Sequence, residues 1–202
     1  MILNFFRVSL ASLLMVFSFS VFTSAQTTPT APTSFPNVKI KNFGQMDERY
    51  YRGAQPAIDD FQSLKDLGVK TVIDLRNDPT DYEKGAVEAL GMKYINIPMS
   101  GWKYPKDSDI EAFLKLLNDP ATGTVYVHCK AGIHRTGITA AAYRFTKYGW
   151  DYETAYKEMK NYKFSTGLVH HALKWYIKDY AEKIEAQRAK LAANQGATVG
   201  SH

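Results

Sequence analysis

The segment His128-Cys129-Lys130-Ala131-Gly132-Ile133-His134-Arg135-Thr136-Gly137 constrains this chain more than any other. A strand-forming run, Thr124 to His128, precedes it and an Ala-rich helical stretch to Tyr148 follows, so a strand must deliver Cys129 to the start of a helix. In such a loop the backbone N–H groups of Lys130 to Arg135 turn inward around an anion at the positive end of the helix. Gly132 supplies the conformational freedom this needs. Arg135, six residues after the cysteine, offers a planar fork for two oxygens of one phosphoryl group. The same positive field favours thiolate over thiol at Cys129, whose free pKa is about 8.5, and makes it nucleophilic at neutral pH. Thr136 places a hydroxyl near the sulfur, where it can stabilise a departing thiolate, and His128 stands behind the loop as a hydrogen-bonding support. A thiolate nucleophile inside a phosphoryl cradle points to phosphate-ester cleavage through a phosphocysteine intermediate, with Lys130, Ala131, Gly132, Ile133 and His134 around the bound phosphate.

Short β-rich runs alternate with amphipathic stretches on the way to this loop. Val38 to Ile40, Tyr50 to Arg52, Lys70 to Leu75, Met92 to Ile97 and Thr124 to His128 read as strands. Ile58, Phe61, Leu64 and Leu67 recur at helical spacing before Gly68, and Asp81 to Leu90 forms a second helix ended by Gly91. Ser108-Asp109-Ile110-Glu111 reads as a capping box that opens a third helix, Asp151 caps a later one, and Leu168 to Lys190 supplies the last. The alternation predicts an α/β fold, a mainly parallel central sheet flanked by helices.

The chain ends add a compartment. Arg7, the apolar run Val8 to Phe22 and the small residues Thr23-Ser24-Ala25 predict a signal peptide over residues 1–25. Its removal lowers the formal net charge from +5 to +4, since Arg7 is the one charge it carries. The uncharged, Thr- and Pro-rich stretch 26–36 reads as a flexible linker, 37–191 as one domain and 192–202 as a disordered tail. The expected product is secreted or periplasmic, with no stable membrane association. A single cysteine excludes an internal disulfide. His128, Cys129 and His134 lack a metal-ligand spacing, and Arg135 with the loop amides supplies the charge, so neither metal nor cofactor is expected. The basic residues are not interleaved with aromatics along one face, which argues against a nucleic-acid partner.

The loop meets every fixed position of His-Cys-x5-Arg-Ser/Thr and so resembles the protein tyrosine phosphatase superfamily. Tyr51-Arg52-Gly53-Ala54-Gln55-Pro56 and Val72-Ile73-Asp74-Leu75-Arg76 resemble the front half of compact dual-specificity phosphatases, and the likeness runs from about Val38 to Leu173. It implies a dual-specificity-like fold and a general-acid aspartate on the loop Pro98 to Ser108. Ser100 and Gly101 stand where many relatives carry that acid, which leaves Asp107 as the candidate, ahead of Asp109, Asp74 and Asp78. Ligands of open α/β sheets sit beyond the carboxyl ends of the strands, so Arg76, Lys103 and Lys106 are expected to make a basic, substrate-binding mouth with Asn77, Asp78 and Tyr104. Such a field attracts polyanions. Cys-Lys-Ala-Gly resembles phosphoinositide-type phosphatases. His-Arg-Thr-Gly resembles plant and fungal enzymes acting on inositol pyrophosphates, although Ile133 replaces the lysine common to both. Secreted bacterial cysteine phytases are similar in using this loop after a signal peptide. The expected partner is a phosphorylated small molecule, an inositol polyphosphate such as phytate. The alternatives are a phosphopeptide-directed tyrosine or dual-specificity phosphatase and a non-enzymatic phosphate-binding module.

Overall fold

The computed structural model describes residues 34–167 and 170–199. The expected signal peptide and residues 26–33 of the linker lie outside them. Five strands form one sheet: β1 (Gly44–Asp47), β2 (Tyr50–Ala54), β3 (Thr71–Arg76), β4 (Lys93–Met99) and β5 (Val125–Cys129). Their order is β1-β2-β5-β3-β4. β5 lies parallel between β2 and β3, β4 is parallel to β3, and only β1 runs antiparallel, against β2. The helices are α1 (Asp60–Asp66), α2 (Asp81–Ala89), α3 (Asp107–Asn118), α4 (His134–Tyr148), α5 (Tyr152–Asn161) and α6 (His171–Val199). This is the expected α/β architecture.

The two-residue period of the central strands sorts their side chains into two cores. Ile73, Leu75, Val125 and Val127 join Tyr50 on the face covered by α3 to α6, whereas Val72 and Tyr126 join Tyr51 on the face covered by α1 and α2. α4 is buried almost all round from Arg135 to Phe145. Ala140, Ala141 and Ala142 have no bulk to keep neighbouring elements away, so the helix that follows the motif is clamped at the centre of its layer. Asp151 caps α5 as expected, accepting from the Thr154 amide at 2.8 Å.

Three local expectations are corrected. Val38 to Ile40 forms no strand; Ile40 is buried in the α1/α2-side core, and the left-handed Asn42 (φ 54°) turns the chain before pairing begins at Gly44. α3 starts at Asp107 after an extended Lys106, so Ser108 lies in the first turn and caps nothing. Asp107 and Asp109 complement the helix dipole there instead. α6 continues through Ala192 to Val199, because the stretch expected as a tail opens with good helix formers, Ala192 and Ala193.

Candidate active site

β5 sets Cys129 level with Ala54 of β2, and the chain then turns through residues 130–133 into α4. Gly132 adopts φ 67°, and a β-carbon there would sit 2.3 Å from both the carbonyl carbon and oxygen of Gly53. Only glycine lets the loop rest on β2. Its carbonyl is held from two directions, by Arg52 Nη2 at 2.7 Å and Asn42 Nδ2 at 2.8 Å. Arg52 is fully buried, with its guanidinium 4.0 Å over the Tyr162 ring, and Asn42 Nδ2 also donates to the Tyr162 carbonyl at 3.1 Å. Arg52 lies within a stretch quoted above for its resemblance, but nothing local in the sequence shows either side chain clamping a loop 80 or more residues away.

Cys129 is 3 % exposed. Burial pushes its thiol up, but the Thr136 hydroxyl and amide, the Arg135 charge and the Ile133 amide together outweigh burial and leave the thiol below its ordinary value. The Thr136 hydroxyl is buried with no hydrogen-bond partner in good geometry among the described residues, and its influence falls on the neighbouring thiol.

Behind the loop, His128 Nε2 approaches Glu83 Oε1 of α2 at 2.7 Å, bent away from ideal hydrogen-bond geometry. Its Nδ1 lies 3.9 Å from Asp74 Oδ1 and 3.4 Å from the Cys129 carbonyl. Asp74 accepts from the Arg76 amide and the Tyr94 hydroxyl, and burial raises its carboxyl despite the lowering effect of His128. All three side chains are fully buried, with possible ligand atoms within 4.8 Å of one another. The 2.7 Å approach fits a directly paired His and Glu better than a cation between them, which would hold each at about 2.0–2.2 Å on separate vertices.

Cys129 lies at the base of a cavity of about 420 Å³ that Lys130, Ala131, His134 and Arg135 line from the loop. Arg135 Nη1 donates to Asn77 Oδ1 at 3.1 Å and to the Met99 carbonyl at 3.2 Å, which aims its fork along the carboxyl ends of β3 and β4. Gly101, Trp102 and His170 close the opposite wall. His134 stacks on His170 at 3.6 Å, and His170 on Trp102 at 4.8 Å. A carbonyl only accepts, so the contacts to Ser165 O (2.8 Å) and Gly101 O (3.2 Å) place the proton of His134 on Nε2 and that of His170 on Nδ1. Burial lowers the His134 pKa, and His170 adds to this, against the raising effect of Ser165. His170 was not singled out in the sequence, because no spacing links it to the loop.

The other expected residues are dispersed. Arg76 is buried and turned to Gln55 and Asp78, so it braces the rim without lining the cavity. Lys103 and Lys106 are exposed and also outside the lining. Asp107 accepts from Lys183 Nζ at 2.5 Å and from the Tyr176 hydroxyl at 3.0 Å, both on α6. The Lys183 hydrogen bond holds its carboxyl below the usual range, and Asp107 is not part of the cavity wall. Asp78 is the one carboxylate in that wall; Arg76, then Arg135, keep it below the usual range.

The model of a family described as DSP-PTPase phosphatase fused to NAD+ kinase matches residues 30–175. The chain is 29 % identical over 119 residues to the dual specificity protein phosphatase TpbA of Pseudomonas aeruginosa, covering 59 % of this chain and 53 % of TpbA. It thus spans about half the length of the TpbA sequences it matches. Identity to the inositol diphosphatase DSP3 of Arabidopsis thaliana is 29 % over 144 residues, 68 % of this chain and 66 % of DSP3. The fold is that of the catalytic core of the PP-IP phosphatase Siw14 from S. cerevisiae (TM-score 0.65, 22 % identity, 78 % of this chain and 96 % of that one). It is equally that of P. aeruginosa TpbA in complex with pTyr (TM-score 0.66, 24 % identity, 82 % and 98 %).

Proposed function

The chain belongs to this DSP-PTPase family and is a PTP-like cysteine-dependent phosphatase, and on that premise we propose that its substrate is an inositol polyphosphate cleaved preferentially at a diphosphate group. One observation carries the choice of bond: no carboxylate in the cavity wall stands free of a cation. Asp78, the one carboxylate there, is paired with Arg76, and Asp107 lies outside the wall against Lys183. A leaving alkoxide needs a donor in the transition state, whereas the phosphate expelled from a diphosphate is already a stable anion. The naming of DSP3 as an inositol diphosphatase and of Siw14 as a PP-IP phosphatase supports this reading.

In the proposed mechanism the terminal phosphoryl group sits in the loop, with its oxygens on the loop amides and the Arg135 fork. The Cys129 thiolate attacks phosphorus as the bond to the bridging oxygen breaks, and that oxygen leaves with its electron pair on the inositol-bound phosphate. Water then attacks the phosphocysteine, the S–P bond breaks, inorganic phosphate forms, and the thiolate returns to the Thr136 hydroxyl. The signal-peptide-like pattern of residues 1–25 supports a reading in which the protein acts outside the cytoplasm.

A second reading, phosphotyrosine hydrolysis, draws on Trp102, which is 63 % exposed at the cavity wall as a flat surface for a phenol ring. Rates on a diphosphoinositol polyphosphate, myo-inositol hexakisphosphate, a phosphotyrosine peptide and para-nitrophenyl phosphate decide between them. The diphosphate is expected to have the highest kcat/KM; a peptide ahead of it would sink the first reading. Cys129→Ser is expected to end phosphate release from all four while keeping anion binding.

A further inference from the structure

A second cavity, of about 460 Å³, shares Lys130 with the catalytic one. Lys39 and Lys41 line it from the segment before β1, and Gln55, Asp60 and Tyr82 from the opposite side. We propose that this cavity is a subsite for a second phosphate group of the substrate whose terminal phosphate occupies the Cys129 loop, a placement that rests on the polyphosphate reading above.

The lysines are fixed relative to the catalytic loop. Ile40, 6 % exposed, anchors the segment in the core between the two exposed lysines. The Lys41 carbonyl accepts from the Ala54 amide at 2.9 Å, and the next residue, Asn42, donates directly to Gly132. The Gln55 amide donates to the Lys130 carbonyl at 3.3 Å, closing the ring of contacts around the shared residue. None of Lys39, Lys41 and Lys130 has an ion-pair partner among the described residues. The one carboxylate in the lining, Asp60, is engaged by the Ala57 amide at 2.9 Å. Three lysines without an ion-pair partner among the described residues therefore line an open volume, while the Gln55 side-chain amide beside them is engaged by Thr80 and Tyr82, and the Tyr82 hydroxyl by the Pro56 carbonyl. That arrangement suits a multiply charged oxygen acceptor and gives little to an apolar ligand.

The test measures competition against para-nitrophenyl phosphate hydrolysis by myo-inositol hexakisphosphate and by inorganic phosphate, in the full chain and in Lys39→Gln/Lys41→Gln. Inorganic phosphate needs only the Cys129 loop, so it serves as the internal reference. The ratio of the two inhibition constants is expected to move about ten-fold against the hexakisphosphate in the double variant, in line with the loss of two exposed charge contacts. Charge reversal, Lys39→Glu/Lys41→Glu, is expected to move it further. A ratio unchanged in both variants overturns the subsite. Turnover of a diphosphoinositol substrate is scored separately. If the wild type has none but the ratio moves, the substrate reading fails and the subsite stands; turnover with an unmoved ratio removes the subsite alone.

Discussion

Asp107 shows how a residue of the right type can be drawn into other work. Its loop position suggests a proton donor, but the tertiary partners Lys183 and Tyr176 arrive from a helix 69 to 76 residues later and hold it as a carboxylate. Asp107→Asn is therefore expected to change kcat/KM on phenyl phosphate by no more than about three-fold, whereas loss of a true general acid costs about 10² or more. A pH–rate series on that substrate checks it. Cys129 gives a second expectation. The folded protein lowers its pKa, so the thiolate is present above that depressed value and is lost only as pH falls through it. Alkylation by iodoacetamide, which has one thiol to find in this chain, is expected to titrate with a midpoint below that of the unfolded protein. Thr136→Val should shift the midpoint upward; a midpoint that stayed put would remove the hydroxyl from the account. Cys129 and Arg135 were legible in sequence because their spacing is local and chemical. Glu83, Asn42, Arg52 and His170 were not, because each acts through a contact that only the folded chain creates.

At the scale of elements, the sheet and helices were legible where periodicity and burial agree, as in β3, β5 and α4. They were misread where a turn or a dipole decided the outcome, as at Val38 to Ile40 and at the start of α3. The catalytic loop depends on β2 as much as on its own strand. Gly132→Ala brings a β-carbon to 2.3 Å from the Gly53 backbone at a positive φ, so neither loop nor strand can yield without moving the other. The substitution is expected to lower kcat/KM on para-nitrophenyl phosphate by at least about 10²-fold, as small displacements of a positioned site do. Circular dichroism should still report helices and sheet, and near-wild-type activity would show that the loop adapts.

For the whole molecule, charge is the property that reaches beyond the site. The chain carries a formal net charge of +5, and Lys39 and Lys41, exposed, flank the catalytic loop on its β1 side. Raising ionic strength shortens the Debye length to about 8 Å at 0.15 M and screens such steering. Values of kcat/KM for a diphosphoinositol polyphosphate are expected to fall more steeply between low and high salt than those for para-nitrophenyl phosphate. Parallel slopes would mean that the surface field plays no part in substrate capture. The clamp on Gly132 reaches just as far. Asn42 ties the beginning of the described chain to the loop at Gly132 and to Tyr162 at once, across separations of 90 and 120 residues. Joins across so many residues spend chain entropy before the contact returns anything, and the Tyr162 carbonyl that shares the Asn42 amide exists only once the chain has been made that far. A partly made chain therefore holds the motif without the whole of the clamp that shapes it.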